Sequence, residues 1–407
     1  MCRKIVVLIM LLSGMSALAG CSIEDTTATS GQTTSAPSLT PSVPINTFDA
    51  PHGPLPQVQF NGGRVMSNPR FMAITFPADS FAPSINMFMS KFASSPQWTA
   101  MTSEYGVNAA SVAAPVQLTE GAPGTIDDTQ IQTWLSAKFN TVSRPLGAPD
   151  TNTIYIINYP PTTSITASGQ ASCSDFDGYH SEFTDPASGT AIVYAVIANC
   201  SGYTINDQTS TMSHELVEAV TDPDNNPAYY GVAQDFAVWN TVSYGSEVGD
   251  MCQDYNNSYF VPSNIGFQIQ RSWSNAAAAA GNDPCVPAAT GQTYVNASPG
   301  VSDSITYNDN GQSTTGTGIS IPVGQSRVIE LDLFSSAQTA AWKVSASEFS
   351  SSGHLGFSFN TTTGTNGSKI YLTVTVHSKD TTFNAEPFWV ISTLNGVSHY
   401  WPVIVGN

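Results

Sequence analysis

Residues 211–226 read TMSHELVEAVTDPDNN, and few folds can hold such a segment. Met212, Leu216, Val217, Ala219 and Val220 leave little polar surface on a helix, so most of it belongs inside a core. Yet the same turns carry His214, Glu215 and Glu218. His214 and Glu218 stand at i and i+4 and project from one face, with Glu215 beside them. Buried charge without a partner is costly, so these side chains must meet something. Pro223 forces the helix to stop. A solvated charged face is the plainer reading of His-Glu-x-x-Glu, and the apolar flanks weigh against it.

Two ligands one turn apart, with a carboxylate beside them to take a proton from water, is the arrangement of a metal hydrolase. His214 and Glu218 are the candidate ligands and Glu215 the candidate general base. Zinc accepts Glu as a ligand. Each carboxylate ligand leaves the metal less positive than a neutral imidazole would, so hydrolysis leans more on the base. A further ligand must come from elsewhere. Asp224 stands ten residues after His214, Glu247 lies in GSEVGDMC, and His180 lies in GYHSEF. Asp250 is a candidate to orient His214 from outside the metal's own ligand set. His180 is also a candidate to polarise a substrate carbonyl, and Tyr229, Tyr230 and Tyr244 are candidate oxyanion donors. Asp222, Asp224 and Asn226 put oxygens at alternate positions, so calcium is carried beside zinc as a second cofactor, although the loop lacks the sixth-position Gly and the closing Glu of an EF-hand.

The N-terminus sets the compartment. MCRK supplies positive charge and IVVLIMLLSGMSAL is an apolar run, too short for a comfortable membrane span and typical of a signal peptide. It ends in Leu-Ala-Gly-Cys at Cys21, which resembles a bacterial lipobox, with residues 1–20 removed and Cys21 lipidated. A plain secretory signal is the alternative. Ser22 does not resemble an inner-membrane retention signal, which points to the outer membrane where the host has one. Only 10% of residues are charged, against a usual ~25%, and Ser, Thr, Asn and Gly carry the polarity, as in an exported chain. The formal charge is −18 and no basic stripe appears, which argues against a nucleic-acid partner. The expected partners are a membrane, through Cys21, and a peptide or protein substrate. Cys2 leaves with the signal, so four cysteines remain: Cys173, Cys200, Cys252 and Cys285. In an exported chain they suggest two disulfides. Three pairings exist, and chain order favours Cys173–Cys200 and Cys252–Cys285.

Residues 21–56 are Ser/Thr/Pro-rich and read as a disordered tether. Residues 57–290 alternate short apolar strands (71–76, 153–158, 191–197) with amphipathic helices near 82–95 and 125–139, then the His-Glu helix at about 207–221, an α+β layout. Residues 291–407 change character to strands divided by Gly, Asn and Ser turns, which suits an antiparallel all-β sandwich. His354, His377 and His399 are scattered singly there and read as packing or surface residues.

GYHSEF, AIVYAVIANC, MSHELVEAVTDPDNNPAYY, EVGDMC and RSWSNAAAA, in this order, resemble an exported zincin-like group related to the plant EXORDIUM, or phosphate-induced, proteins. The resemblance covers roughly residues 65–287 and not the sandwich. Its motif positions fall here on His214, Glu215, Glu218, Asp222, Glu247, Asp250 and Cys252. Because the Glu247 segment belongs to that motif, the resemblance favours Glu247 over Asp224 as third ligand. The expectation is therefore a zincin-like α+β domain followed by an antiparallel sandwich, acting as a cell-surface zinc-dependent peptidase. A non-catalytic surface binding protein on the same fold is the alternative.

Overall fold

The computed structural model describes residues 48, 50–77, 79–243, 245–350, 352–379 and 384–406. The signal segment 1–20, the lipidation residue Cys21, most of the 21–56 tether and Tyr244 lie outside the described residues.

A mixed sheet organises the first half. Strands β1 (Arg70–Thr75), β2 (Thr153–Tyr159) and β4 (Ala191–Ala198) run parallel in the spatial order β1, β2, β4. Strand β3 (Gly178–Thr184) closes one edge antiparallel to β4. Two short strands, Ser111–Val112 and Val116–Gln117, pair with the other side of β1. The central strands are apolar on both faces because both are covered. Helices α1 (Ala82–Phe92) and α3 (Ile205–Thr221) share one core with Phe71, Ile154, Ile156 and Val193. Helix α2 (Asp128–Asn140) packs Ile131, Leu135 and Phe139 on the opposite face, against Ile74, Tyr155 and Ile157. Strand alternation thus sends successive residues to two separate cores.

Local chemistry sets the helix ends. Asp127 accepts from Gln130 N while Gln130 Oε1 accepts from Asp127 N, a reciprocal cap on α2. Asp207 accepts from the backbone N–H and hydroxyl of Thr204 where α3 begins. The α3 segment 208–221 is buried throughout. Its hydroxyl residues are satisfied at close range: Ser213 donates to Ser210 O, and Thr221 to Val217 O.

The cysteines form Cys173–Cys200 and Cys252–Cys285, the pairing that chain order favours. Such crosslinks belong to an oxidising compartment. Among the described residues no helix is long and apolar enough to cross a membrane.

From Val295 onward two sheets face each other. One has four antiparallel strands, Val295–Pro299, Ser326–Ser335, Lys369–Val376 and Leu355–Phe359. The other has six and departs from a purely antiparallel pattern, because Gln312–Ser320 meets Val397–Gly406 in parallel at Ile319–Ser320. The hairpin between Asp303–Asp309 and Gln312–Ser320, turning at Asn310 and Gly311 with positive φ, brings the end of the second strand alongside the C-terminal one.

The junction between the two halves is itself core. Trp239 packs edge-on against both Trp273 and Trp401, and Tyr255 stacks on Tyr400. Thr241 donates to Asp309 across the same seam at 2.7 Å. Residues 50–56, the end of the segment read as a disordered tether, lie against this assembly. Leu55 is buried and His52 stacks on Phe334 at 3.5 Å. These two side chains anchor the segment on the assembly through apolar contact. His399 is buried edge-on to Tyr294, a packing residue, and His354 stands 2.8 Å from Glu386.

Candidate metal centre

Helix α3 lies across the face of β3 and β4. That crossing points Glu215 at His180, the third residue of β3: His180 Nδ1 is 3.3 Å from Glu215 Oε2. On the neighbouring turn His214 Nε2 lies 3.0 Å from Glu218 Oε2. A short helix, α4 (Asp250–Gln253), supports the other side of this pair. Its first N–H donates to Glu218 Oε1 at 3.0 Å, and its Asp250 Oδ1 lies 3.7 Å from His214 Nε2.

Two groups of three ligand-type side chains result among the described residues, His214–Glu218–Asp250 and His180–Glu215–Glu218, with all ligand atoms of a group within 4.8 Å of one another. Glu218 belongs to both. The sequence-favoured third ligand, Glu247, joins neither group: its Oε1 faces His180 Nε2 at 3.5 Å. Asp250 Oδ1 stands instead at the His214 nitrogen that faces Glu218. The reason is local. The Gly249–Asp250 turn docks directly on α3, and Asp250 Oδ2 accepts from Glu247 N at 3.3 Å, so folding that turn points Asp250 inward.

Asp224 is engaged elsewhere, paired with Arg64 Nε at 3.1 Å. Asp222 Oδ1 accepts from Ala228 N at 2.7 Å. The oxygens read as calcium donors are thus partly committed to closing their own loop. Of the tyrosines, Tyr229 packs between Phe60 and Tyr105. Tyr230 stands near Glu247, and burial followed by that charge pushes its phenol up.

Both histidines have their tautomers set by fixed acceptors. Gln270 Nε2 donates to the Gly249 carbonyl at 2.8 Å, which turns Gln270 Oε1 toward His214 Nδ1 at 3.1 Å. Nδ1 therefore carries a proton, and in the neutral ring that a metal would select Nε2 presents its lone pair to Glu218 and Asp250. His214 Nε2 and Glu218 Oε2 are buried and face each other as an ion-pair contact. Two such groups held 3.0 Å apart in a core need a proton or a metal cation between them.

Packing is as tight as the chemistry. A Cβ on Gly249 would fall 2.6 Å from Glu218 Oε1 and 2.9 Å from His214 Nδ1. A Cβ on Gly245 would fall 1.7 Å from Asp250 Oδ2. Only glycine lets these backbones approach. Neither Gln270 nor Gly249 was singled out by the sequence. The available signal for Gln270 is one uncharged polar residue between Ile269 and Arg271 on a strand that buries both Ile269 and Gln270.

Electrostatics follow from burial. Burial alone would lower the His214 imidazolium, but Glu218, Glu215 and Asp250 outweigh it and lift His214 to about 10. His180 is raised well above its usual value against the same burial, by Glu247 and Glu215. Burial, opposed by His214 and reinforced by Glu247, raises Glu218 to about 7. Burial and then Glu247 raise Asp222 to about 7, and burial and then Glu218 raise Asp250 strongly. Without a cation, the cluster retains protons that a divalent ion would displace. His214, Glu218 and Asp250 fit zinc, combining one imidazole with two carboxylates whose charges match those of the ion.

The site is closed: His214 and Glu218 are 0% exposed and the His180 side chain only 8%. Compared with models of known protein families and with curated proteins, the chain shows no match.

Proposed function

We propose that this chain is an extracytoplasmic metallohydrolase, a zinc-dependent peptidase on a zincin-like domain. His214, Glu218 and Asp250 hold the metal and Glu215 is the general base. The observation that carries the reading is the buried cluster in which His214, Glu218 and Asp250 offer ligand atoms within 4.8 Å of one another, with His214 Nε2 3.0 Å from Glu218 Oε2. The mixed sheet with an antiparallel edge strand over the His-Glu helix supports the zincin-like assignment, and the resemblance to EXORDIUM-related proteins agrees with it. The lipobox-like start supports an envelope protein tethered through Cys21.

When bound, zinc supplies Lewis acidity toward water and a carbonyl oxygen. The chain's own groups do the rest. Glu215 takes the proton from the attacking water and returns it to the leaving amine. His180, held between Glu215 and Glu247, orients Glu215 and offers a donor to the carbonyl oxygen. Strand β3 ends the sheet, so an extended peptide can align beside it.

Burial of the cluster favours a second reading, a non-catalytic protein in which the metal only staples α3 to the Asp250 turn. Zinc content and casein hydrolysis separate the two. In the first reading Glu215→Gln keeps zinc at His214 and loses roughly 10²–10⁴-fold in cleavage. Zinc held without cleavage of casein or any peptide library supports the second. Wild-type protein that takes up no supplied zinc contradicts both.

A further inference from the structure

We infer that the cluster holds a second divalent cation, bound by His180 Nδ1, Glu215 Oε2 and Glu218 Oε2, with Glu218 shared between the two ions. The inference rests on the metal site proposed above and extends it from one ion to two.

The geometry of His180 comes first. Its Nε2 lies 3.2 Å from the carbonyl oxygen of Asp222, which can only accept, so Nε2 carries the proton. In the neutral ring that a metal ion would select, Nδ1 then turns a lone pair toward Glu215 Oε2 at 3.3 Å and Glu218 Oε2 at 3.9 Å. Three acceptor atoms face one another. A proton on Nδ1 would serve one contact, whereas a metal ion serves all three. This repeats the logic of His214, where Gln270 takes one nitrogen and leaves the other to the carboxylates.

Charge counting points the same way. Glu215, Glu218, Asp222, Glu247 and Asp250 are all buried. Among the described residues no lysine or arginine forms an ion pair with any of these five. With all five ionised, one divalent ion leaves three negative charges uncompensated in the core, and two ions leave one. Glu218 Oε2 and Glu247 Oε2 are both buried and without hydrogen-bond partners. Carboxylate-bridged pairs of ions, about 3.5–4 Å apart, are an established way to clamp the oxygens of a hydrolytic displacement. Filling the second position makes Glu215 and His180 ligands, so the base role given above to Glu215 passes to Glu247, the carboxylate beside His180.

The test is stoichiometry. Protein stripped with a chelator is refilled with zinc alone and desalted, and zinc per chain is measured by inductively coupled plasma mass spectrometry. Wild type is expected to hold two ions and His180→Asn one, with circular dichroism reporting that the variant is folded. If His180→Asn does not fold, Glu215→Gln replaces it and is likewise expected to hold one. One ion in wild type overturns the second position and leaves the first standing. None overturns both. Two ions in wild type and also in the folded variant place the second ion elsewhere and overturn the assignment.

Discussion

His214 Nε2 and Glu218 Oε2 lie 3.0 Å apart, one turn along the same buried helix. Donors bound tetrahedrally to one zinc at about 2.0–2.1 Å stand roughly 3.3 Å from each other. The pair therefore has the spacing of two ligands of one ion, set by the helical repeat before any metal arrives.

Removing that charge should separate stability from metal binding. Glu218→Gln keeps the shape and relieves a carboxylate whose burial outweighs its pairing with His214. At pH 8 the metal-free variant should be more stable than metal-free wild type, by about 1–3 kcal/mol, and should show no thermal shift when zinc is added. Urea denaturation with and without zinc measures both.

Gln270 acts on the metal only through His214. Gln270→Leu leaves the bond from Gln270 N to Ser213 Oγ available, so the fold should persist. Loss of the acceptor at Nδ1 frees the imidazole tautomer, and zinc affinity should fall about 10–100-fold, as read by competition with a chromogenic chelator.

Gly249→Ala forces a methyl against Glu218 and His214. It should cost about 1–3 kcal/mol in urea denaturation through overpacking. The same variant should lose zinc affinity, because what must move is the ligand pair itself.

The acidity of the cluster gives a pH dependence with a definite sign. Glu218 and Asp222 are raised to about 7 and His214 to about 10. In each case the folded state binds its proton more tightly than the unfolded chain does. The associated stability is full below the unfolded values and is lost as pH rises through the folded ones. Metal-free protein should therefore lose thermal stability between about pH 5 and 9. Zinc competes with those same protons, so the melting shift it produces should grow over the same range. Scanning calorimetry at fixed zinc concentration measures both slopes.

The helix and its face were legible in the sequence because the i, i+4 rule is local. His214, Glu215 and Glu218 follow from eleven residues of pattern. So were the disulfide partners, since each pair closes a segment flanking that helix. The inward turn of Asp250 was not legible, because it depends on how closely the Gly249 turn approaches α3. Gln270 reaches the site from a strand more than fifty residues away, and its amide direction is set by the Gly249 carbonyl. The shared core of Trp239, Trp273 and Trp401 was equally hidden. Turn composition marks where a sandwich begins but not that its last strand packs against an earlier helix.

The most direct measurement is anomalous X-ray scattering at the zinc edge from crystals of the chain grown with zinc. The account predicts a peak within bonding distance of His214 Nε2, Glu218 Oε2 and Asp250 Oδ1. No peak at that position, or a peak held by Glu247 with Asp250 turned away, would contradict it.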